Sequence, residues 1–252
     1  MEERARSLTV TGASSGLGRA IVNQAIRSDA FRHIYCLSKT GSHPSGSMFT
    51  SMTSVMCDVS DLNNVSDVAE RWPGAFEADV LINCAGVNRI GWLDEFPEFD
   101  WDLVMDTNAK SIFLMSKLFV ELGGPGLNRT IVNIVSNASH MPMTGSLAYN
   151  ASKGAAHIMT LQLARELMHT HGITVFGLSP AKLSDTEMSR YIDGVVPGMR
   201  GWSEEYAKEY QLKGLLTGEE IEPKLPAELI VWLLSKHSRH KHLAGCIIPY
   251  GA

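Results

Sequence analysis

Short, almost continuously apolar runs alternate along this chain with longer stretches in which apolar residues recur every three or four positions. The first pattern suits strands covered on both faces, and the second suits helices that bury one side. Residues 7–11 read as a strand and 17–27 as a helix. Strands at 33–37 and 54–57 precede a helix at 62–71 and a strand at 80–83. A long helix at 101–122 leads to a strand at 130–136, and a second long helix at 149–168 leads to a strand at 174–178. A helix at 227–235 and a strand at 245–249 close the chain. This rhythm predicts a doubly wound α/β fold with a parallel sheet and right-handed crossovers, one domain over residues 1–252.

Residues 182–226 break the rhythm. They hold Gly194, Pro197, Gly198, Gly201, Gly214, Gly218, Pro223 and Pro226 among charged helical pieces such as 203–211. The expectation is an irregular insertion after the sixth strand. Open α/β sheets bind ligands beyond strand C-termini, so the insertion is expected to carry substrate contacts. The same composition also suits a plain surface excursion.

Composition narrows the class only a little. The chain has 252 residues, 44% hydrophobic and 19% charged, enough to bury roughly 70–75% of its unfolded surface. A net charge of -5 gives no global attraction to nucleic acid or anionic lipid. Cys36, Cys57, Cys84 and Cys246 have no paired spacing, which points to free thiols in a reducing compartment. No apolar run is long enough for a membrane span, and Met1-Glu-Glu-Arg is too charged for a signal peptide. A cytoplasmic protein is expected.

Two motifs carry chemistry. Tyr149 and Lys153, in Tyr149-Asn150-Ala151-Ser152-Lys153, share one helix face. A phenol titrates near ~10 in isolation, and a lysine cation beside it favours the phenolate. The pair could then exchange a proton with a substrate oxygen, although helices also carry such spacings by chance. The second motif is Thr11-Gly12-Ala13-Ser14-Ser15-Gly16-Leu17-Gly18, between the first strand and first helix. Glycines there allow a tight turn and close approach of a phosphate, and the helix N-terminus offers unpaired N–H groups. The spacing G-x-x-x-G-x-G differs from the common G-x-G-x-x-G. A purely structural turn would look the same, but the position favours a dinucleotide.

With Asn83-Cys84-Ala85-Gly86 after the fourth strand, Asn108 in the long helix, and Ser136 upstream of Tyr149, the chain resembles the short-chain dehydrogenases/reductases. The likeness runs from Thr11 to the last strand, with the motifs in the family's order. It implies a Rossmann-type fold, a nicotinamide cofactor and a carbonyl or alcohol substrate. Tyr149 would be proton donor in reduction and base in oxidation. Lys153 would lower the tyrosine's pKa and bind the nicotinamide ribose. Ser136 would hold the substrate oxygen, and Asn108 a water linking the lysine to solvent.

The resemblance also implies the cofactor contacts. Gly12, Ser14, Ser15, Gly16, Leu17 and Gly18 form the phosphate turn, with Asp58 at the adenine and Val59 beside it through its backbone. Asn83, Ala85 and Gly86 line the ribose and steady the sheet, with Tyr149 and Lys153 at the nicotinamide end. Pro180, Leu183 and Thr186 stand near the carboxamide. An acidic residue ending the second strand would repel a ribose 2′-phosphate. Here Ser38-Lys39 offers a hydroxyl and a cation, so NADP(H) is expected over NAD(H). Lys39 would also suit a solvated loop, and Ser15 stands where the family often has a second basic residue.

Some positions depart from the family. Ala181 replaces the glycine after Pro180, Ser184 and Asp185 compete with Thr186 for its role, and the last strand lacks Asp-Gly-Gly. Asn88, Arg89, Asn137, His140, Met141, Met143, Tyr191 and Trp202 are candidates for the substrate pocket or for loop packing. Residues 237–242 read as a basic solvated loop, and no metal is expected. The broad apolar surfaces of the two long helices suggest a homodimer or homotetramer. The alternative is a catalytically silent NADP-binding regulator, which in this family usually lacks the tyrosine or lysine. A related epimerase or dehydratase ranks lower.

Overall fold

A computed structural model of the chain describes residues 6–41, 48–123, 129–235 and 240–251. The expectations for residues 1–4, 237–239 and 252 lie outside them. Among the described residues seven strands form one sheet: β1 (Arg6–Thr11), β2 (Phe31–Ser38), β3 (Ser51–Met56), β4 (Val80–Asn83), β5 (Thr130–Ile134), β6 (Thr174–Pro180) and β7 (Ile247–Tyr250). Their order is β3-β2-β1-β4-β5-β6-β7, and every pairing is parallel. Winding reverses between β1 and β4, which opens a crevice at their C-terminal ends. This is the doubly wound, Rossmann-type sheet that the strand–helix rhythm predicts.

Alternation along each strand explains the two covered faces. Val80, Ile82, Val132, Ile134, Phe176 and Leu178 point to one side, where α1 (Gly16–Ser28) and α8 (Lys224–Ser235) lie. Leu81, Ile131 and Val175 point to the other, against α2 (Leu62–Arg71), α4 (Ser111–Gly123) and α5 (Leu147–His171). A polar chain crosses this second layer. Asn83 Nδ2 donates to Asn133 Oδ1 at 2.8 Å, and Asn133 Nδ2 donates to Thr160 Oγ1 at 3.0 Å. Among the described residues no helix is long and apolar enough to cross a membrane.

Besides shifts of a few residues at the ends of β2, β3, α5 and β7, three differences from expectation bear on the site. β5 stops at Ile134, so Ser136 lies beyond it rather than within it. The helix expected at 101–122 starts earlier as α3 (Glu98–Met105), passes through a π turn at Asp106–Lys110, and resumes as α4. Residues 182–226 are mostly helical rather than irregular: α6 (Glu187–Arg200) and α7 (Glu204–Lys213) precede the start of α8. Strong ends explain α6 despite Pro197 inside it. Thr186 and Ser189 form a capping box at its start, and Gly201 takes a left-handed φ of 65° at its end.

Candidate active site

The crevice is built around the glycine turn. Thr11 Oγ1 accepts hydrogen bonds from the Cys84 and Ala85 amides at 3.0 and 3.1 Å, which draws the segment after β4 against the turn. The approach is so close that a Cβ on Gly12 would lie 2.8 Å from Ala85 Cα, and Gly12 has a φ of +65°. A Cβ on Gly18 would lie 2.2 Å from the Gly12 carbonyl oxygen. Glycine is thus required at both places by contact, and at Gly12 by dihedral as well. Ser15 is the N-cap of α1 but makes no side-chain cap bond, and no acidic residue stands in the first turn. Amides at a helix start that no side chain satisfies suit an anion. Residues and backbone therefore fit a dinucleotide pyrophosphate here, with Ser14, Ser15, Gly16, Leu17 and Gly18 around it.

The other predicted cofactor residues gather on the same rim, with qualifications. Thr186 faces the turn, its Cγ2 3.6 Å from a Cβ built on Gly16. Its hydroxyl is engaged as the N-cap of α6, accepting from the Ser189 amide at 3.0 Å. Leu183 pairs with Ile221 in an isolated parallel bridge. The neighbouring Lys182 carbonyl and Ser184 amide make those hydrogen bonds, so the bridge leaves Leu183's own amide unused. Pro180 ends β6 opposite Tyr250. Asn83 is buried, and its amide nitrogen donates to Asn133 on the neighbouring strand. Val59 is buried in the core beside α2.

At the end of β2 the charges are paired. Lys39 Nζ lies 2.9 Å from Asp58 Oδ2, and Ser38 Oγ accepts from the Gly41 amide at 3.1 Å. Burial raises the Asp58 carboxyl, but hydrogen bonds from Ser60 and Lys39 outweigh it and leave the pKa below its usual range. The cation counted in favour of a 2′-phosphate is thus shared with the carboxylate predicted for the adenine.

Ser136, Tyr149 and Lys153 converge where β5 meets α5. Ser136 caps a short 3-10 turn, accepting from the Ala138 amide at 3.2 Å and donating to Asn137 Oδ1 at 3.2 Å. Tyr149 lies in the first turn of α5, almost wholly buried, with Ser136 near enough to act on its phenol. Lys153, one turn on, donates to the Ile134 carbonyl at 2.9 Å. Its Nζ is 5.8 Å from the Tyr149 ring centroid, and also lies 3.8 Å from a Cβ built on Gly86.

The electrostatics run against the sequence expectation. Burial raises the Tyr149 phenol, and the Ser136 hydroxyl only partly opposes this. Burial also pushes the Lys153 ammonium down to about 8. Spacing alone suggested that the lysine lowers the tyrosine's pKa. In this structure desolvation is the leading influence on both groups, because both are enclosed by protein.

Asn108 lies in the π turn. Its Nδ2 donates to the Val87 carbonyl at 2.8 Å and to Ser152 Oγ at 3.0 Å, and its Oδ1 accepts from the Val87 amide at 2.8 Å. Ser152 Oγ in turn donates to the Tyr149 carbonyl at 2.8 Å. The Asn108 side chain is therefore a clamp on backbone. Thr11, Val87 and Ser152 were missed from sequence because their parts depend on which loops meet.

The pocket candidates divide. Asn150, beside Tyr149, donates to the Ala138 and Met141 carbonyls and accepts from the Met143 amide, so it shapes the loop bearing Asn137, His140, Met141 and Met143. Arg89 pairs with Asp100 at 3.1 Å and lies over the Tyr191 ring. Tyr191 accepts from the Ile90 amide at 3.1 Å. Asn88 is buried with an Oδ1 that has no partner. Trp202 packs against Tyr206 and Tyr210. Among the described residues no group of His, Cys, Asp and Glu could hold a metal.

A parallel sheet with an uncapped glycine turn at its switch point, facing a buried serine, tyrosine and lysine, defines a dinucleotide-dependent oxidoreductase type of site. A family model described as short chain dehydrogenase matches residues 6–194, and the chain belongs to that family. It is 28% identical over 262 residues to the 2,3-dihydro-2,3-dihydroxybenzoate dehydrogenase of Escherichia coli (strain K12), covering 100% of this chain and 98% of that protein. It is 34% identical over 193 residues to the gluconate 5-dehydrogenase of Gluconobacter oxydans (strain 621H), 73% of each chain. In fold it is similar to a short chain dehydrogenase family protein of Francisella tularensis subsp. tularensis SCHU S4. That TM-score is 0.83 at 23% identity, over 97% of this chain and 96% of the other. The protein is an oxidoreductase.

Proposed function

We propose that this oxidoreductase moves a hydride between a nicotinamide dinucleotide, NADP(H) in preference to NAD(H), and a carbonyl or alcohol carbon of a small organic substrate. The convergence of Ser136, Tyr149 and Lys153 beside Gly86 carries the reading. The glycine turn would hold the pyrophosphate, Lys39 the 2′-phosphate and Asp58 the adenine. Ala85, Gly86 and Lys153 would line the nicotinamide ribose, with Pro180, Leu183 and Thr186 at the carboxamide. When bound, the nicotinamide supplies the hydride for reduction and takes it up in oxidation.

Tyr149, held protonated at neutral pH by its burial, gives its phenolic proton to the substrate oxygen in reduction. Ser136 Oγ hydrogen-bonds that oxygen as negative charge develops on it. The ammonium of Lys153 steadies the phenolate left behind, and its value of about 8 lets it pass a proton onward near neutral pH. Asn108 keeps the π turn, the Val87 loop and the Ser152 turn of α5 in register around these groups. In oxidation the same proton path runs backwards.

Exposed Phe113 and Leu122 on α4, with Leu147 and Ile158 on α5, support assembly as a homodimer or homotetramer through these helices. The free thiols of Cys36, Cys57, Cys84 and Cys246 are in keeping with a cytoplasmic enzyme. The test is NADPH consumption across a panel of ketones and aldehydes, with NADH alongside. Tyr149→Phe should lower turnover by about a hundredfold or more while leaving the circular dichroism spectrum unchanged. Equal turnover by the variant would remove the basis for the reading.

A further inference from the structure

A second group of side chains lies over the same sheet edge. Trp92 follows β4, Thr144 follows β5, and Met199, Arg200, Trp202 and Tyr210 follow β6. Together they line a cavity of about 420 Å³. Arg200 is its one charged residue. The guanidinium carbon is 4.7 Å from the Trp202 ring centroid and 5.8 Å from that of Tyr210. One amino group donates to the Thr144 carbonyl at 3.0 Å, whereas the Nε–H is buried with no acceptor. Among the described residues no carboxylate pairs with Arg200.

This cavity adjoins the catalytic loop. Thr144 and Gly145 lie between Ser136 and Tyr149, and Gly145 accepts from the Gly91 amide at 2.9 Å. Met199 packs so closely on Gly145 that a Cβ there would lie 2.6 Å from its Cε. Thr144, which lines the cavity and holds Arg200, thus sits on the segment that joins Ser136 to Tyr149.

Resting on the function proposed above, we infer that Arg200 anchors a carboxylate on the substrate, remote from the carbon that is oxidised or reduced. A buried donor without an acceptor is costly and seeks an oxygen. A guanidinium matches the planar carboxylate in shape, and ring stacking holds it in place. A single cation balances a single negative charge, which favours a monocarboxylate over a phosphate dianion. Trp92, Met199, Trp202 and Tyr210 suit a flat or apolar body joining the carboxylate to the reacting carbon.

Calorimetric titration of the full chain with naphthalene-2-carboxylate, naphthalene-2-carboxamide and 2-naphthyl phosphate tests the assignment. The carboxylate should bind about tenfold or more tightly than the amide, as a charged hydrogen bond to a buried donor warrants. Arg200→Gln should erase that preference. A wild-type protein that binds acid and amide equally overturns the inference, as does an Arg200→Gln protein that keeps the preference. Tighter binding of the phosphate overturns the monocarboxylate class. Should Arg200→Gln fail to fold, Arg200→Lys decides: the preference falls severalfold if the stacked guanidinium is the anchor, and an unchanged preference refutes it. Since the titration needs no turnover, its failure is distinct from a failure of NADPH consumption.

Discussion

Exchanging Lys153 for methionine removes an ammonium group that the fold keeps away from water. Its value of about 8 lies below the ordinary 10.5. Between those two pH values the unfolded chain holds a proton there that the folded chain has lost. Stability therefore rises with pH across this window, by about 1.4 kcal/mol per unit and about 3 kcal/mol in all. Below the folded value both states are charged and the full cost of burial is present; above 10.5 both are neutral and the cost is gone. Methionine is similarly long and unbranched and has no charge to bury, so near pH 7 the exchange recovers about 3 kcal/mol. Against this stands the 2.9 Å hydrogen bond to the Ile134 carbonyl, whose loss costs about 1–2 kcal/mol. Lys153→Met should thus be more stable than the parent by about 1–2 kcal/mol near pH 7, and less stable by a similar amount near pH 10.5. Urea unfolding followed by tryptophan fluorescence, at one protein concentration and both pH values, measures the change. An identical stability difference at the two pH values would refute the argument that burial dominates this lysine.

Four further outcomes follow from the same geometry. Asp58→Asn releases Lys39, so binding of 2′,5′-ADP should tighten severalfold relative to 5′-ADP, in keeping with about 1 kcal/mol for an exposed pair; calorimetry that finds no change removes Lys39 from phosphate recognition. Gly18→Ala forces a methyl to within 2.2 Å of the Gly12 carbonyl oxygen and should lower the melting temperature. Gly194→Ala, in the open on α6, should instead raise stability by about 0.5–1 kcal/mol. Because Tyr149 stays protonated through neutral pH, carbonyl reduction should be level between about pH 6 and 7 and fall toward pH 8 as Lys153 loses its proton, while alcohol oxidation climbs from about pH 6 to 8. Initial rates in both directions check this, and an oxidation rate that falls with pH would refute it.

Where local pattern and tertiary role coincide, the chain is readable. β4 and α2 match their expected limits because a run of four buried apolar or polar-capped positions, and a helix capped by Asp61, are visible in one dimension. The π turn at 106–110 has no such signature. Its extra residue rotates the following helix by about 100° relative to the preceding one. The apolar stripe of 101–122 consequently spreads when read with one period, which helps explain why it looked wider than a single sheet face requires. α6 was hidden by Gly194, Pro197 and Gly198, whose low helix propensity is overcome by a capping box and a glycine stop at its ends. The convergence of Ser136, Tyr149 and Lys153 was legible through their spacing and family likeness. The direction of the Tyr149 shift was not, because desolvation depends on everything packed around the ring. Arg200 escaped notice for the same reason: its partners Thr144, Trp202 and Tyr210 come from separate segments.

Asn108 has a consequence of another kind. Its amide both donates to the carbonyl and accepts from the amide of one residue, Val87. That is what a backbone residue does across a sheet, so a side chain here stands in for one rung of a β-ladder. The segment after β4 gains strand-like protection without a neighbouring strand, and the Val87 amide should exchange with solvent more slowly than loop amides do. Only asparagine has both groups at this reach. Aspartate keeps the acceptor and loses the donor, and glutamine is one methylene too long. Chain geometry therefore demands this residue even before any proton has moved.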